Sequence, residues 1–353
     1  MESNILSKDQ AIAKLLAKIE SVKIPDGLNE KVSDIFSQLT INSHTDQTFW
    51  QNYQVASNYI DWLVKIPWFT ESKDILDINY ASEKLNENHY GLDSVKERLL
   101  EYVSVLALQK SRNPDKPMKA PVLLFVGLVG TGKTTMAKSV AEVMGRPLIR
   151  IPFGGLGDPL YLRGRSRVYP EAEPGQIIKG LVDCKAKNPV ILLDEIDRVA
   201  DDALNTIMGV LVELLDPEQN NNFVDHYVDY PVDLSGALFC ATCNNTARIA
   251  TAVMDRLEVI QMPSYTDEEK MVIGRDYILP RAIKDAGLTK DELQISPNIW
   301  GQIVRPLGFD AGVRTLQRNI EGLCRKTSKL IFEGKTKQII IDESNVKQFL
   351  PQW

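Results

Sequence analysis

The sequence has few cysteines and histidines, and it lacks long apolar runs. Its 353 residues include four cysteines and three histidines, and four cysteines are too few for a disulfide framework in a chain of this length. No apolar segment approaches the roughly 20 residues of a membrane-spanning helix. Because residues 1–8 also lack the basic start and apolar stretch of a signal peptide, we expect a cytoplasmic protein without a membrane partner.

Basic residues are outnumbered by acidic ones. The 41 lysines and arginines against 47 aspartates and glutamates give a formal net charge of −6, which disfavours a surface devoted to nucleic acid or anionic lipid. Hydrophobic residues make up 44% and charged residues 25% of the chain, as in ordinary globular proteins. The length predicts two or three domains.

Two of the cysteines form the pattern Cys240-Ala-Thr-Cys243. A C-x-x-C pair is typical of redox sites and of half a zinc site. No second pair of this kind follows, and the pattern lies at the end of an apolar run. We therefore favour two buried structural thiols.

Residues 127–134 spell G-x-x-x-x-G-K-T between an apolar run and a helical stretch. In such a loop glycines let backbone N–H groups surround a phosphate, Lys133 supplies charge to the β- and γ-phosphate oxygens, and the Thr134 hydroxyl binds Mg²⁺. A glycine-rich turn that binds nothing is the alternative, but it would lose backbone entropy without compensation. The residues of the predicted nucleotide site are Gly127, Leu128, Val129, Gly130, Thr131, Gly132, Lys133, Thr134 and Thr135.

An acidic pair follows the apolar run at residues 190–193. Asp194 is predicted to hold the Mg²⁺ shell, and Glu195 is predicted to polarise the attacking water. Acidic pairs after strands also cap helices, so the prediction depends on the phosphate loop being present. Asp197 and Arg198 are interpreted as helix caps or interface charges.

Two further polar residues complete the predicted site. Asn244 follows the next apolar run and is a candidate for positioning water, although a role as a turn residue and the neighbouring Asn245 remain alternatives. Arg256 precedes the last apolar run. We expect it to lie far from its own phosphates, so that it could act only on the nucleotide of a neighbouring subunit, which requires an oligomer.

The order of the segments predicts an α/β fold. Apolar runs that alternate with helical stretches indicate a parallel sheet covered on both faces. Amphipathic helices precede this part, and a mainly helical part follows it. The predicted strands are residues 122–126, 148–151, 190–193, 237–241 and 259–262, and the predicted domains are residues 1–78, 79–263 and 264–353.

Beyond these motifs, eight further segments are informative: Tyr59-Ile-Asp-Trp-Leu63, Ile66-Pro-Trp68, His89-Tyr-Gly-Leu92, Phe153-Gly-Gly155, Leu215-Asp-Pro-Glu-Gln-Asn220, Asp225-His-Tyr227, Asp255-Arg-Leu-Glu-Val-Ile260 and Gly312-Val-Arg314. Through them the chain resembles the Lon proteases among the AAA+ ATPases over almost its entire length. The resemblance implies a AAA+ five-stranded parallel sheet with helices on both faces, a small helical bundle before it and a helical lid after it.

The resemblance also implies roles for particular residues. Asn244 corresponds to sensor 1, Arg256 to the arginine finger, and Arg314, in the lid, to sensor 2 at the γ-phosphate. The residues implied for the adenine pocket are His89, Tyr90 and Gly91. The implied cofactors are ATP or ADP with Mg²⁺, and the implied assembly is a ring, typically a hexamer, that unfolds proteins and threads them through a pore.

The chain departs from the family at the predicted pore loop. Lon proteases usually place Ile or Val and then Gly after the pore tyrosine, whereas this chain has Tyr169, Pro170 and Glu171. Proline fixes its own φ and restricts the preceding residue, so we expect a stiffer loop with a weaker grip on polypeptide. The nearby arginines of residues 163–167 are interpreted as part of a pore and interface loop, with a nucleic-acid patch as the alternative.

No segment resembles the proteolytic domain of Lon with its Ser-Lys pair. The resemblance therefore predicts an ATP-driven unfoldase module that does not itself cut peptides. One alternative is a nucleotide-regulated oligomerisation or interaction module with low turnover. A DNA-dependent AAA+ motor is a further alternative, which the net charge of −6 disfavours.

Overall fold

Three helices open the chain in a computed structural model that describes residues 7–41, 46–113, 118, 120–305 and 310–350. They are α1 (Lys8–Glu20), α2 (Asp26–Ile41) and α3 (Asp46–Lys65). A capping box between Ser7 and Gln10 starts α1. The apolar faces of these helices share one buried cluster with the central part of the chain, including Leu28 and Tyr59. The predicted helical start of the chain is confirmed.

A parallel sheet forms the centre of the molecule. The strands of this region are β1 (Val122–Val126), β2 (Leu148–Pro152), β3 (Val190–Asp194), β4 (Phe223–Val224), β5 (Pro231–Val232), β6 (Leu238–Cys243) and β7 (Leu257–Gln261). Five of them pair in the order β2-β3-β6-β1-β7, and every pairing in this sheet is parallel. The predicted fold class is confirmed. The short antiparallel pair of β4 and β5 was not predicted.

Both faces of the sheet are covered. The covering elements are α4 (Ile78–Asn88), α5 (Asp93–Arg112), α6 (Lys133–Met144), α7 (Leu160–Arg163), α8 (Gln176–Cys184), α9 (Leu204–Leu214), α10 (Thr251–Met254) and 3₁₀ turns at Ile196–Arg198, Asn220–Asn222 and Thr246–Arg248. Successive side chains of one strand point to opposite faces, so Leu123 packs with α4 to α6 while Leu124 packs with α8 and α9. This double burial explains why the strands are continuous apolar runs.

A mainly helical segment follows β7. It contains α11 (Asp267–Val272), a π-helix (Ile273–Ile278), α12 (Leu279–Asp285), β8 (Leu293–Ile295), a 3₁₀ turn (Pro297–Ile299), α13 (Trp300–Val304), α14 (Arg314–Phe332), β9 (Ile339–Ile341) and α15 (Val346–Phe349). A capping box between Thr266 and Glu269 starts α11. The π-helix was not predicted. Within it, Gly274 lies so close to Trp300 that a Cβ would be 2.8 Å from the indole ring.

The domain boundaries after residues 78 and 263 stay a prediction. One observation bears on how the parts pack: the segment after β7 has a buried cluster of its own, which includes Trp300 and Leu316. Within the described residues, no helix is both long and apolar enough to cross a membrane.

Candidate active site

The phosphate loop lies between β1 and α6 and depends on its glycines. Gly130 and Gly132 have φ values of +83° and +93°, which residues other than glycine rarely adopt. A Cβ at Gly127 would lie 2.7 Å from the carbonyl oxygen of Met262 on the neighbouring strand. The three glycines are therefore required by the shape of the loop itself.

Lys133 is held by its own loop and by Asn244. Its Nζ donates to the carbonyl oxygens of Gly127 and Leu128 at 2.7 and 2.9 Å, and to Asn244 Oδ1 at 2.9 Å. Burial lowers the Lys133 pKa, and the negative charge of Asp197 nearby opposes this shift. The structure thus brings two of the predicted site residues, 111 positions apart, into direct contact.

The Asp194 carboxylate is the most densely bonded group of the site. Its Oδ1 accepts hydrogen bonds from Thr134 Oγ1 at 3.1 Å and from Thr242 Oγ1 at 2.6 Å. Its Oδ2 contacts Arg150 Nε at 2.8 Å and Nη2 at 2.6 Å. The adjacent Thr134 hydroxyl and Asp194 carboxylate offer the oxygen ligands that Mg²⁺ prefers, so these residues fit the implied metal.

Thr242 and Arg150 were missed by the sequence analysis. Thr242 lies on β6 two positions before Asn244, which directly follows the strand, and strand alternation could have placed both side chains on one side. Arg150 carries no comparable signal, because its contact depends on how the edge strand β2 pairs with β3. That pairing sets Pro152 beside Asp194, and the long arginine side chain spans the remaining gap.

Glu195 stands in an unusual backbone conformation. Its φ is +60°, which is uncommon for a residue other than glycine and is frequent at functional sites. Its backbone N–H donates to Thr242 Oγ1 at 2.9 Å, so the same hydroxyl group connects Asp194 and Glu195. A Cβ at Gly154 would lie 3.3 Å from Glu195 Oε2, so a small residue there leaves room for the carboxylate.

Asp197 holds the backbone of the two asparagines that follow β6. Its Oδ2 accepts from the backbone N–H groups of Asn244 and Asn245 at 3.0 and 3.1 Å, a role more specific than the predicted helix cap. Asn245 turns its own side chain to the Ala247 N–H at 2.8 Å. Asn244 is therefore the one of the two whose side chain reaches Lys133.

The lid segment is bonded directly to the phosphate loop. Val313 N donates to the carbonyl oxygen of Gly130 at 3.0 Å, and a Cβ at Gly312 would overlap the Gly130 backbone. Arg314 begins α14 at this contact. A cavity of about 510 Å³ is enclosed between loop, sheet edge and lid, and it is lined by Val129, Gly130, Gly132, Lys133, Thr134, Thr135, Arg150, Asp194, Glu195, Arg198, Thr242, Asn244, Val313, Arg314 and Gln317.

A second cavity of about 430 Å³ adjoins the first and shares Gly132 and Val313 with it. His89 and Tyr90 line this cavity, as expected for an adenine pocket. His89 Nε2 is 2.8 Å from Ser139 Oγ, and burial lowers the His89 pKa to about 4, so the ring is neutral near pH 7. Gly91 does not line it. With a φ of +62°, Gly91 makes the turn that carries its two neighbours.

Three residues of the predicted nucleotide site shape the loop without lining either cavity. They are Gly127, Leu128 and Thr131. Thr131 is buried, and its hydroxyl donates to the Leu128 carbonyl oxygen at 2.9 Å. These three residues therefore serve to fold the loop, and the other residues of the motif face the cavities.

Arg256 lies outside both cavities, as the sequence predicts. Its Nη2 contacts Asp216 Oδ2 at 2.8 Å, and its Nη1 donates to the Ala252 carbonyl oxygen at 2.7 Å. The hydrogen bond from Arg256 lowers the pKa of Asp216. The guanidinium is thus held in a defined orientation away from the phosphate loop of its own chain.

The predicted pore loop is anchored at its base and exposed at its tip. Tyr169 is 57% exposed, and its N–H donates to the Ser166 carbonyl oxygen at 3.1 Å. Arg167 stacks 3.8 Å from the centre of the Tyr59 ring, and Arg163 pairs with Glu213. These two arginines are engaged inside the protein, which disfavours a nucleic-acid patch.

The two cysteines of the C-x-x-C pattern are buried on opposite faces of β6. Cys240 belongs to the cluster with α4 to α6, and Cys243 to the cluster on the other face. Burial raises the pKa of each thiol to about 12. The preference for buried structural thiols is confirmed.

Two protein-family models match the sequence of this chain. The ATPase family associated with various cellular activities (AAA) matches residues 123–265, and the Lon protease AAA+ ATPase lid domain matches residues 284–340. The chain belongs to the Lon protease family. The second match falls on the segment that carries α13 and all of α14, so the helical part after the sheet is a Lon-type lid.

Curated relatives support the same family. The Lon protease of Desulforamulus reducens is 43% identical over 84% of this chain and 36% of its own length. Lon protease 1 of Bacillus subtilis is 40% identical over 97% of this chain and 43% of its own length. The Lon protease of Clostridioides difficile is 39% identical over 99% of this chain and 43% of its own length. The chain spans about two fifths of the length of these relatives.

The contact between Gly312 and Gly130 yields a first prediction. Gly312→Ala should force the lid away from the phosphate loop and weaken ADP binding about tenfold, the range expected for overpacking a tight contact. Isothermal titration of ADP in Mg²⁺ buffer measures this. Gly301→Ala is the matched control, since a Cβ at Gly301 in the same lid meets nothing within 4 Å. Equal affinities for the two variants would contradict the prediction.

Proposed function

We propose that this chain is the ATP-driven module of a Lon-type protein-unfolding machine, which binds and hydrolyses Mg-ATP. One observation carries the proposal. Six residues that the sequence analysis chose separately, from the phosphate loop, two strand ends and the lid, line a single 510 Å³ cavity: Lys133, Thr134, Asp194, Glu195, Asn244 and Arg314.

Binding would use the loop first. The backbone N–H groups at the start of α6 face a phosphate, and the helix dipole favours its negative charge. Lys133 Nζ would replace its hydrogen bonds to the carbonyl oxygens of Gly127 and Leu128 with hydrogen bonds to phosphate oxygens. The base would enter the adjoining cavity beside the neutral His89 ring.

Hydrolysis would use the strand ends. Thr134 and Asp194 would hold Mg²⁺, which would supply charge neutralisation for the phosphates when bound. Glu195 would accept a proton from the attacking water, and the Asn244 side-chain amide would orient that water. Asp197 fixes the backbone of Asn244. Arg314 stabilises negative charge at the γ-phosphate from the lid.

The remaining charge stabilisation would come from a neighbouring subunit. Arg256 pairs with Asp216 and lines neither cavity of its own chain, so it would complete a site only between chains. This requirement supports a closed ring, and the family suggests a hexamer. Unfolded or damaged proteins are the proposed substrates, and the exposed Tyr169 with Pro170 is the proposed grip on them.

Removal of the catalytic carboxylate tests the hydrolytic site. Glu195→Gln should lower ATP turnover at least about 100-fold, because a general base contributes that much or more, while ATP still binds. Phosphate release and ATP titration measure the two quantities. Glu101→Gln, at an exposed site on α5, is the control for loss of a carboxylate. Undiminished turnover in the Glu195 variant would refute the assignment.

A mixing experiment tests whether Arg256 acts between subunits. Arg256→Ala and Glu195→Gln chains, each inactive alone, should regain ATPase activity when mixed, because some interfaces then combine an intact Glu195 with an intact Arg256. A chain carrying both changes should rescue neither single variant. If mixed rings form and remain inactive, Arg256 does not act in trans.

Substrate coupling is tested by ATPase activity against protein concentration, with and without casein. Turnover per chain should rise as rings form, and casein should stimulate it further. Tyr169→Ala should abolish the stimulation, whereas Val168→Ala, at the neighbouring position that is 83% exposed, should keep it. Concentration-independent turnover without stimulation would instead favour the nucleotide-regulated interaction module.

A further inference from the structure

Asp194 makes more contacts than a magnesium-binding carboxylate can keep. An ionised carboxylate offers about four lone-pair sites. Thr134, Thr242 and two nitrogens of Arg150 use them all. A metal-bound water that donates to Asp194 therefore needs one of these donors to leave.

Two of the donors are poorly suited to leaving. Thr242 is fully buried on the central strand β6, and its oxygen also accepts the Glu195 N–H. Thr134 can keep donating its hydroxyl proton to Asp194 while a lone pair of the same oxygen faces a metal. Arg150 differs from both, because it stands on the edge strand β2 and its side chain is 56% exposed.

The electrostatic balance points to the same residue. Asp194 is only 3% exposed, and a buried carboxylate requires a nearby positive charge. Arg150 provides that charge in the structure. A dication at Thr134 and Asp194 would provide it instead, and it would repel the guanidinium across a short distance.

We propose that Arg150 is the displaceable counterion of the magnesium carboxylate. It holds and neutralises Asp194 before the metal arrives, and it leaves Asp194 when Mg-nucleotide binds. Arg150 is thus a positioning residue, and the metal must compete with it for Asp194. This inference rests on the proposed nucleotide site.

The test is the Mg²⁺ dependence of ADP binding, measured by isothermal titration in EDTA and at a series of free Mg²⁺ concentrations. Arg150→Met should weaken metal-free ADP binding about fivefold, since the uncompensated Asp194 then repels the phosphates. Mg²⁺ should raise the affinity for ADP, and the Mg²⁺ concentration that gives half of this increase should fall about fivefold in Arg150→Met. The reason is that the guanidinium no longer competes with the metal for Asp194. General damage to the fold would weaken binding under both conditions.

Two further variants complete the experiment. Arg150→Lys keeps the charge with a single donor group and should lie between wild type and Arg150→Met in both quantities. Arg98→Met removes an arginine of similar exposure, 51%, that pairs with Glu101 and Glu258 outside the cavity, and it should match wild type. An unchanged Mg²⁺ dependence in Arg150→Met would overturn the proposal. A wild-type chain that binds no ADP under either condition would overturn the nucleotide site itself, and the counterion role with it.

Discussion

A buried carboxylate at the end of β3 holds the nucleotide site together. Asp194 receives donors from α6, β2 and β6, so one negative charge joins the phosphate loop to two strands. Nearby, the Asp197 carboxylate also joins two segments, because it accepts hydrogen bonds from the backbone that follows β6. Since an unpaired carboxylate is strongly unfavourable in such a position, the catalytic geometry and the stability of the sheet edge depend on the same contacts.

The sheet and most of the cavity could be predicted from sequence because both follow from local patterns. Strands buried on two faces are apolar throughout, and the loop glycines occupy backbone angles that other residues avoid. Arg150, the choice between Asn244 and Asn245, and the π-helix at Ile273–Ile278 could not be predicted. Each depends on contacts between residues distant in sequence: the β2–β3 pairing, the hydrogen bond from Lys133 to Asn244, and the approach of Gly274 to Trp300.

The opening helices are mechanically connected to the predicted pore loop. Tyr59 of α3 stacks on Arg167, and its hydroxyl donates to the Val228 carbonyl oxygen at 2.8 Å. Lys31 of α2 pairs with Asp229, which also lies 3.9 Å from Arg167. The contacts of Arg167 thus connect the base of the loop that carries Tyr169 to α2 and α3. The stiffness that Pro170 adds at the tip is matched by this rigid base.

The lid contact explains how phosphate chemistry can move a distant part of the chain. The base cavity and the phosphate cavity share Gly132, Thr135, Val313 and Gln317, so one nucleotide would touch loop and lid together. The bond from Val313 N to the Gly130 carbonyl oxygen lies directly beside Arg314. Loss of the γ-phosphate would remove the charge that Arg314 is proposed to neutralise, at the point where lid and loop are joined. Because α14 begins at this residue and carries the buried face of the lid, a shift there would be passed to the core of the lid.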